Sequence, residues 1–257
     1  MPIISTAGLA RTFTGKQGPV EAVRGIDLTV RPGEILGLLG PNGAGKTTTL
    51  RMLTTLLPPT AGAATVAGHD LVKNPAAVRR RIGYVAQSGG LDPQETVRSE
   101  LVLQGRLYGL DRTRATARAE ELAVDLDLTE LLDRPTPALS GGQRRRLDLA
   151  MGLTHRPEIL FLDEPTTGLD PGSRSDLWAL VRRLRDEYGT TVVLTTHYLD
   201  EADALADRIV IVDKGTVVAE GSPAALKAAH GAATLQDAFL AITGRGPAPV
   251  DTTPVAV

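Results

Sequence analysis

The stretch Gly40, Pro41, Asn42, Gly43, Ala44, Gly45, Lys46, Thr47 restricts this chain more than any other, because a G-x-x-x-x-G-K-[ST] loop works only between a buried strand and the start of a helix. Both flanks are present. Ile35, Leu36, Leu38 and Leu39 form the near-continuous apolar run of a strand buried on both faces. A helix is expected from about Gly45 to Leu57, with Pro58 and Pro59 stopping it. Glycines let the backbone turn sharply, so that its N–H groups and the helix N-terminus converge on phosphate oxygens. Lys46 brings a compact positive charge to the outer phosphates, and Thr47 a hydroxyl suited to Mg²⁺. GTPases, kinases and recombinases share such a loop, so it points to nucleotide binding without naming the machine.

The rest of the chain organises around this loop. Residues 3–32 read as short strands with a turn at Gly15 to Pro19, and Ile26, Leu28 and Val30 alternate with polar residues, as in a small antiparallel sheet. Residues 88–139 carry helical spacing (Leu101, Gly105, Tyr108; Ala119, Leu122, Ala123, Leu126) and read as a helical lobe. Strand and helix then alternate: Ile159–Leu162, helix Ser173–Tyr188, strand Thr191–Thr195, helix Leu199–Ala206, strand Ile209–Val212, which implies a parallel sheet with crossover helices. The expected fold class is α/β: a P-loop nucleotide-binding core with an N-terminal antiparallel β-subdomain and an inserted helical subdomain at about 88–156, all within residues 1–245. Residues 246–257, rich in Pro, Thr and small side chains, are expected to be disordered.

Two further constellations carry chemistry. Asp163 and Glu164 end the apolar strand from Ile159, where ligands sit in open parallel sheets. Asp163 is suited to hold Mg²⁺ and Glu164 to polarise an attacking water. Ser140 and Gln143 have the S-x-x-Q spacing of a helix capping box, and Gly141 and Gly142 leave backbone N–H groups open to an anion. The runs Arg79–Arg81 and Arg144–Arg146 read as solvated helix faces and are assigned no role.

Together these motifs resemble the ATP-binding cassette ATPases over about residues 3–220. Gly40–Thr47 looks like their phosphate loop, Leu139–Gln143 like their signature sequence, and Ile159–Glu164 like their magnesium and catalytic strand. Gln87 looks like the Q-loop glutamine, Gly168–Leu169–Asp170 like the D-loop, and His197 after Thr195 and Thr196 like the switch histidine. The stretches Arg106–Leu110, Arg144–Ala150, Phe161–Pro171, Thr195–Asp203 and Thr234–Gly244 resemble the daunorubicin-resistance type of drug-export ATPases, although Gln143 stands where many of that group have Met.

The resemblance implies ATP and Mg²⁺ as cofactors. It implies catalytic roles for Lys46, Gln87, Glu164 and His197, and metal contacts from Thr47, Gln87 and Asp163. Nucleotide contacts would come from Phe13, from Gly40 through Thr47 and Thr48, from Ser140, Gly141, Gly142 and Gln143, and from Asp170. Phe13 would stack on adenine, with core packing as the competing reading.

With 28 Lys plus Arg against 30 Asp plus Glu, the chain has no electrostatic footprint of nucleic-acid binding. The absence of cysteine removes disulfides and thiolate metal sites and fits a reducing compartment. Neither a secretory leader nor a membrane-spanning run is recognised. These features fit a cytoplasmic protein, and the resemblance implies one that is peripheral on the inner face of the cell membrane and works as a homodimer beneath integral membrane permease subunits. The alternative is a soluble cassette acting on ribosome or DNA. A small-molecule kinase or GTPase would leave Leu139–Gln143 unexplained.

Overall fold

The described residues form two sheets, and their burial patterns follow from their sequences. The computed structural model describes residues 1–15 and 18–244, so the expected disordered tail lies outside the described residues, as do residues 16 and 17 of the Gly15–Pro19 turn. Strands β1 (Ile4–Gly15), β2 (Gly18–Val30), β4 (Ala61–Val66) and β5 (His69–Asp70) form an antiparallel sheet in the order β2-β1-β4-β5. Along the second half of β2, buried Ile26, Leu28 and Val30 alternate with exposed neighbours, as one covered face requires.

The second sheet has the order β10-β9-β3-β8-β7-β6, built from β3 (Ile35–Leu39), β6 (Ile82–Val85), β7 (Ile159–Asp163), β8 (Thr191–Thr196), β9 (Arg208–Asp213) and β10 (Thr216–Gly221). Neighbours are parallel except for the β9–β10 edge pair. Every residue of β3, β7 and β8 is buried, which is why these segments read as continuous rather than alternating apolar runs. The period of two survives in what each side chain meets. Leu160 and Leu162 face the core shared with the helical lobe, while Ile159 and Phe161 face the core shared with the antiparallel sheet.

Helices α1 (Lys46–Leu53), α6 (Pro171–Tyr188) and α7 (Leu199–Leu205) link the parallel strands, and α2 (Pro75–Arg79) precedes β6. The lobe consists of α3 (Val97–Leu107), α4 (Arg112–Asp125) and α5 (Gly141–Leu153). Thr96, Asp111 and Ser140 cap these three helices through their side-chain oxygens. Helices α8 (Pro223–Ala229) and α9 (Leu235–Thr243) bury Leu226 and Leu235 against Leu39, Ile209 and Ile211. No described helix is long and apolar enough to cross a membrane.

Helix α1 ends before the prolines expected to stop it. Thr55 takes a left-handed conformation (φ 63°), and the N–H groups of Leu56 and Leu57 both turn back to the Arg51 carbonyl at 3.0 and 3.1 Å. That turn satisfies the final carbonyls of the helix four residues early.

Candidate functional site

The phosphate loop leaves the buried end of β3 and closes into α1. A Cβ at Gly40 would run into the Val212 carbonyl, and Gly45, at φ 104°, makes the left-handed turn that starts the helix. Lys46 is only 4% exposed, and its Nζ donates to the carbonyls of Gly40 and Pro41 at 2.7 and 3.1 Å. Burial pulls the Lys46 ammonium below its ordinary pKa, opposed by the charges of Glu164 and Asp163. Asn42, Gly43, Ala44, Gly45, Lys46, Thr47 and Thr48 line an open cleft of about 430 Å³, which Ala22, Gln87 and Glu164 complete.

The two acids at the end of β7 have separate environments. Asp163 is 2% exposed, and its Oδ1 accepts from the hydroxyls of Thr47 (2.9 Å) and Thr195 (2.7 Å). Glu164 has φ 45°, a conformation that costs a non-glycine residue about 1–3 kcal/mol and persists only where the surroundings enforce it. Its N–H is held by both the hydroxyl and the carbonyl of Thr195, at 3.0 and 3.1 Å. Its carboxylate gathers Gln87 Nε2 (3.1 Å), His197 Nδ1 (3.3 Å), Thr167 Oγ1 (3.4 Å) and Lys46 Nζ (3.8 Å). The structure thus brings Lys46, Gln87, Glu164 and His197 to one point beside Asp163 and Thr47.

The donors here fit Mg²⁺. Thr47 Oγ1 and Asp163 Oδ1 are hard oxygens already 2.9 Å apart, and Mg²⁺ takes one or two protein oxygens while substrate phosphates and water fill the rest. Among the described residues no cluster of three or more His, Cys, Asp or Glu forms a self-sufficient metal cage, and an ion held in this way needs none.

The other residues expected to contact nucleotide lie elsewhere. Ser140 and Gln143 form the reciprocal capping box at the start of α5, with Gln143 N–H to Ser140 Oγ at 3.2 Å and Ser140 N–H to Gln143 Oε1 at 3.0 Å. Ser140, Gly142 and Gln143 open on a second cleft of about 240 Å³, and Gly141 is exposed beside them. That cleft shares no lining residue with the phosphate cleft. Asp170 is exposed and caps α6, accepting from Ser173 N–H at 3.0 Å and Ser173 Oγ at 2.6 Å. These bonds hold its carboxyl below the usual range, the Ser173 hydroxyl contributing most. Phe13 is 37% exposed with the Arg11 guanidinium 4.8 Å above its ring, so it is not a core residue. It stands outside the residues that line the phosphate cleft, although Ala22 on the neighbouring β2 is one of them.

One expectation fails here. Arg144 is exposed, and Arg146 pairs with Asp127 and Asp176 near the surface, but Arg145 is 6% exposed and points into the protein. It donates to the carbonyls of Ala86 (2.6 Å), Pro165 (2.8 Å) and Asp163 (3.3 Å), with Asp148 at 3.6 Å. The reason is helical geometry, since Arg145 lies one turn before buried Leu149 on the inward face of α5. Tyr84 was also missed: its hydroxyl is 3.5 Å from the second oxygen of Asp163, and no sequence pattern marks it.

Comparison with known proteins places this geometry among relatives. Residues 23–167 match the ABC transporter family. The chain is 50% identical over 233 residues to a daunorubicin/doxorubicin resistance ATP-binding protein of Streptomyces peucetius, covering 91% of this chain and 69% of that one. It is 47% identical over 220 residues to a doxorubicin resistance ATP-binding protein of Mycobacterium tuberculosis, covering 86% and 66%. A Nod factor export ATP-binding protein of Burkholderia lata is 44% identical, covering 84% and 71%. Among solved structures, a dimeric ATP-binding cassette in a post-hydrolysis state with ADP and Pi superposes with a TM-score of 0.77 at 26% identity, covering 85% of this chain and 98% of that one.

Proposed function

The chain belongs to the ABC transporter family and is the ATP-hydrolysing subunit of an exporter; from that premise we propose that its cargo is a hydrophobic drug or natural product. The similarity to daunorubicin, doxorubicin and Nod factor proteins supports this class of cargo. Cargo would be chosen by separate integral membrane permease subunits, with this chain peripheral on the inner face of the cell membrane. Two copies form the working unit, as a homodimer.

The observation that carries the mechanism is the convergence of Lys46, Gln87 and His197 on the Glu164 carboxylate. The loop N–H groups and Lys46 cradle the phosphates, and Thr47, Asp163 and Gln87 would hold Mg²⁺. When bound, that ion supplies charge to offset the phosphate oxygens. Glu164 takes the proton from the attacking water as it adds to the γ-phosphorus, the bond from that phosphorus to the β–γ bridging oxygen breaks and ADP leaves with that oxygen, while His197 orients the carboxylate and donates toward the γ-phosphate oxygens. The signature residues Ser140, Gly141, Gly142 and Gln143 of the second subunit cap the γ-phosphate. Gln87, between the sheet core and the helical lobe, relays the nucleotide state toward the permease.

Glu164→Gln tests this assignment. The amide keeps the shape and removes the base, so ATP binding should persist while steady-state turnover falls by about 10²–10⁴. Turnover within about twofold of wild type would remove Glu164 as the base.

A further inference from the structure

We propose that Arg145 is a positioning residue for ATP hydrolysis, fixing the backbone on both sides of Glu164 and the residue before Gln87 to the helix that begins with the signature sequence. The inference rests on the assignment of Glu164 as the base.

Glu164 lies between Asp163 and Pro165, and Arg145 donates to the carbonyls of both, at 3.3 and 2.8 Å. Thr195 holds the Glu164 N–H as well, at 3.0 Å from its hydroxyl. The left-handed backbone at Glu164 is thus held by two separate residues, as a strained catalytic position requires. The third bond, 2.6 Å to Ala86, reaches the residue next to Gln87, whose amide meets Glu164 at 3.1 Å. One guanidinium therefore sets the spacing of the base and the Q-loop glutamine. Only a planar fork of diverging N–H groups reaches three carbonyls in this way, and a lysine ammonium lacks both the span and the geometry.

Arg145 also connects that spacing to the second cleft. It sits one turn into α5 from Gly141, so a contact that tilts the N-terminus of α5 moves the guanidinium with it. Its remaining partner is fixed as well: Asp148 is 3.6 Å away, and Gly89 packs so closely on the Asp148 carboxylate that a Cβ there would press on it. Engagement of a nucleotide at Ser140 and Gly142 would thus be felt at Glu164 through one side chain.

The test uses the full chain with Mg²⁺ and ATP. Arg145→Lys and the charge-balanced pair Arg145→Gln with Asp148→Asn are each made in the wild-type and Glu164→Gln backgrounds, and the pair serves if the lysine variant does not fold. Turnover, binding of a fluorescent N-methylanthraniloyl ATP and the thermal midpoint are measured for each. Expected is a kcat lowered about tenfold or more, since a 1 Å misplacement near the chemistry costs about 10². Nucleotide affinity should stay within about threefold, with no further loss in the Glu164→Gln background, because residues acting as a unit are not additive. A kcat within about twofold of wild type, affinity and midpoint falling along with kcat, or losses that multiply with Glu164→Gln would each overturn the positioning role. Full turnover in Glu164→Gln alone would instead bring down the base assignment and this proposal with it.

Discussion

Lys46 and Arg145 are both buried cations that donate to backbone carbonyls, yet only one was legible in the sequence. Lys46 sits at a fixed place in a loop whose glycines have no other reason to recur at that spacing. Arg145 is one of three consecutive arginines, indistinguishable by type, and its one signal is the four-residue step to buried Leu149. Thr195 and Tyr84 teach the same lesson, since hydroxyls 2.7 and 3.5 Å from the Asp163 carboxylate are facts of strand pairing rather than of motif. At this scale Lys46→Ala is expected to weaken ATP binding about tenfold or more, because hydrogen bonds to a charged group are each worth about 1.5–3 kcal/mol. Titration with a fluorescent nucleotide reads this directly, and wild-type affinity would remove Lys46 from the cradle.

Elements were legible where burial was complete or periodicity long. The continuous runs of β3, β7 and β8 announced buried parallel strands, whereas β6, Ile82–Val85, is too short to show a period and contains a glycine. That glycine has a packing cause: a Cβ at Gly83 would collide with the Gly152 carbonyl of α5. Gly83→Ala is therefore expected to cost about 1–3 kcal/mol by overpacking, seen as a lower urea midpoint at unchanged slope. Unaltered stability would mean that α5 shifts freely against the sheet. Next to this contact, His155 Nε2 lies 2.9 Å from the Ile82 carbonyl, and its ring stacks on Tyr108 at 3.8 Å. Burial lowers the His155 pKa, the bond to Ile82 opposes that, and nearby Arg118 adds to the lowering. A base whose folded pKa lies below its unfolded value favours folding above the unfolded pKa. Stability should therefore fall as pH drops below about 6.5 toward the folded pKa, and less so in His155→Gln. Denaturation midpoints at pH 7.5 and 5.5 check it, and equal slopes in both proteins would assign the loss to other groups.

For the whole molecule, alternating strands and helices announced a parallel sheet, but no periodicity reports strand order, which depends on contacts between distant segments. The separation of the phosphate cleft from the signature cleft is a property of this scale too. It leads to a shared-site expectation: specific ATPase activity should rise with protein concentration and then level off, as ATP favours the closed pair. A mixture of Lys46→Ala and Ser140→Arg chains, each inactive alone, should regain part of the activity, because one site of the mixed pair keeps both an intact loop and an intact signature. Flat activity down to concentrations where sedimentation finds only monomer, with no recovery in the mixture, would exclude sharing. The sheet order also governs how the chain is made. Ile35 of β3 pairs with Val192 of β8, a span of 157 residues, and its other neighbour β9 follows later still. At 5–20 residues per second, the strand that carries the phosphate loop leaves the ribosome roughly 8–30 s before either neighbour exists. During that interval a five-residue apolar strand has both edges open, an exposed pairing surface that only the synthesis of β8 and β9 covers.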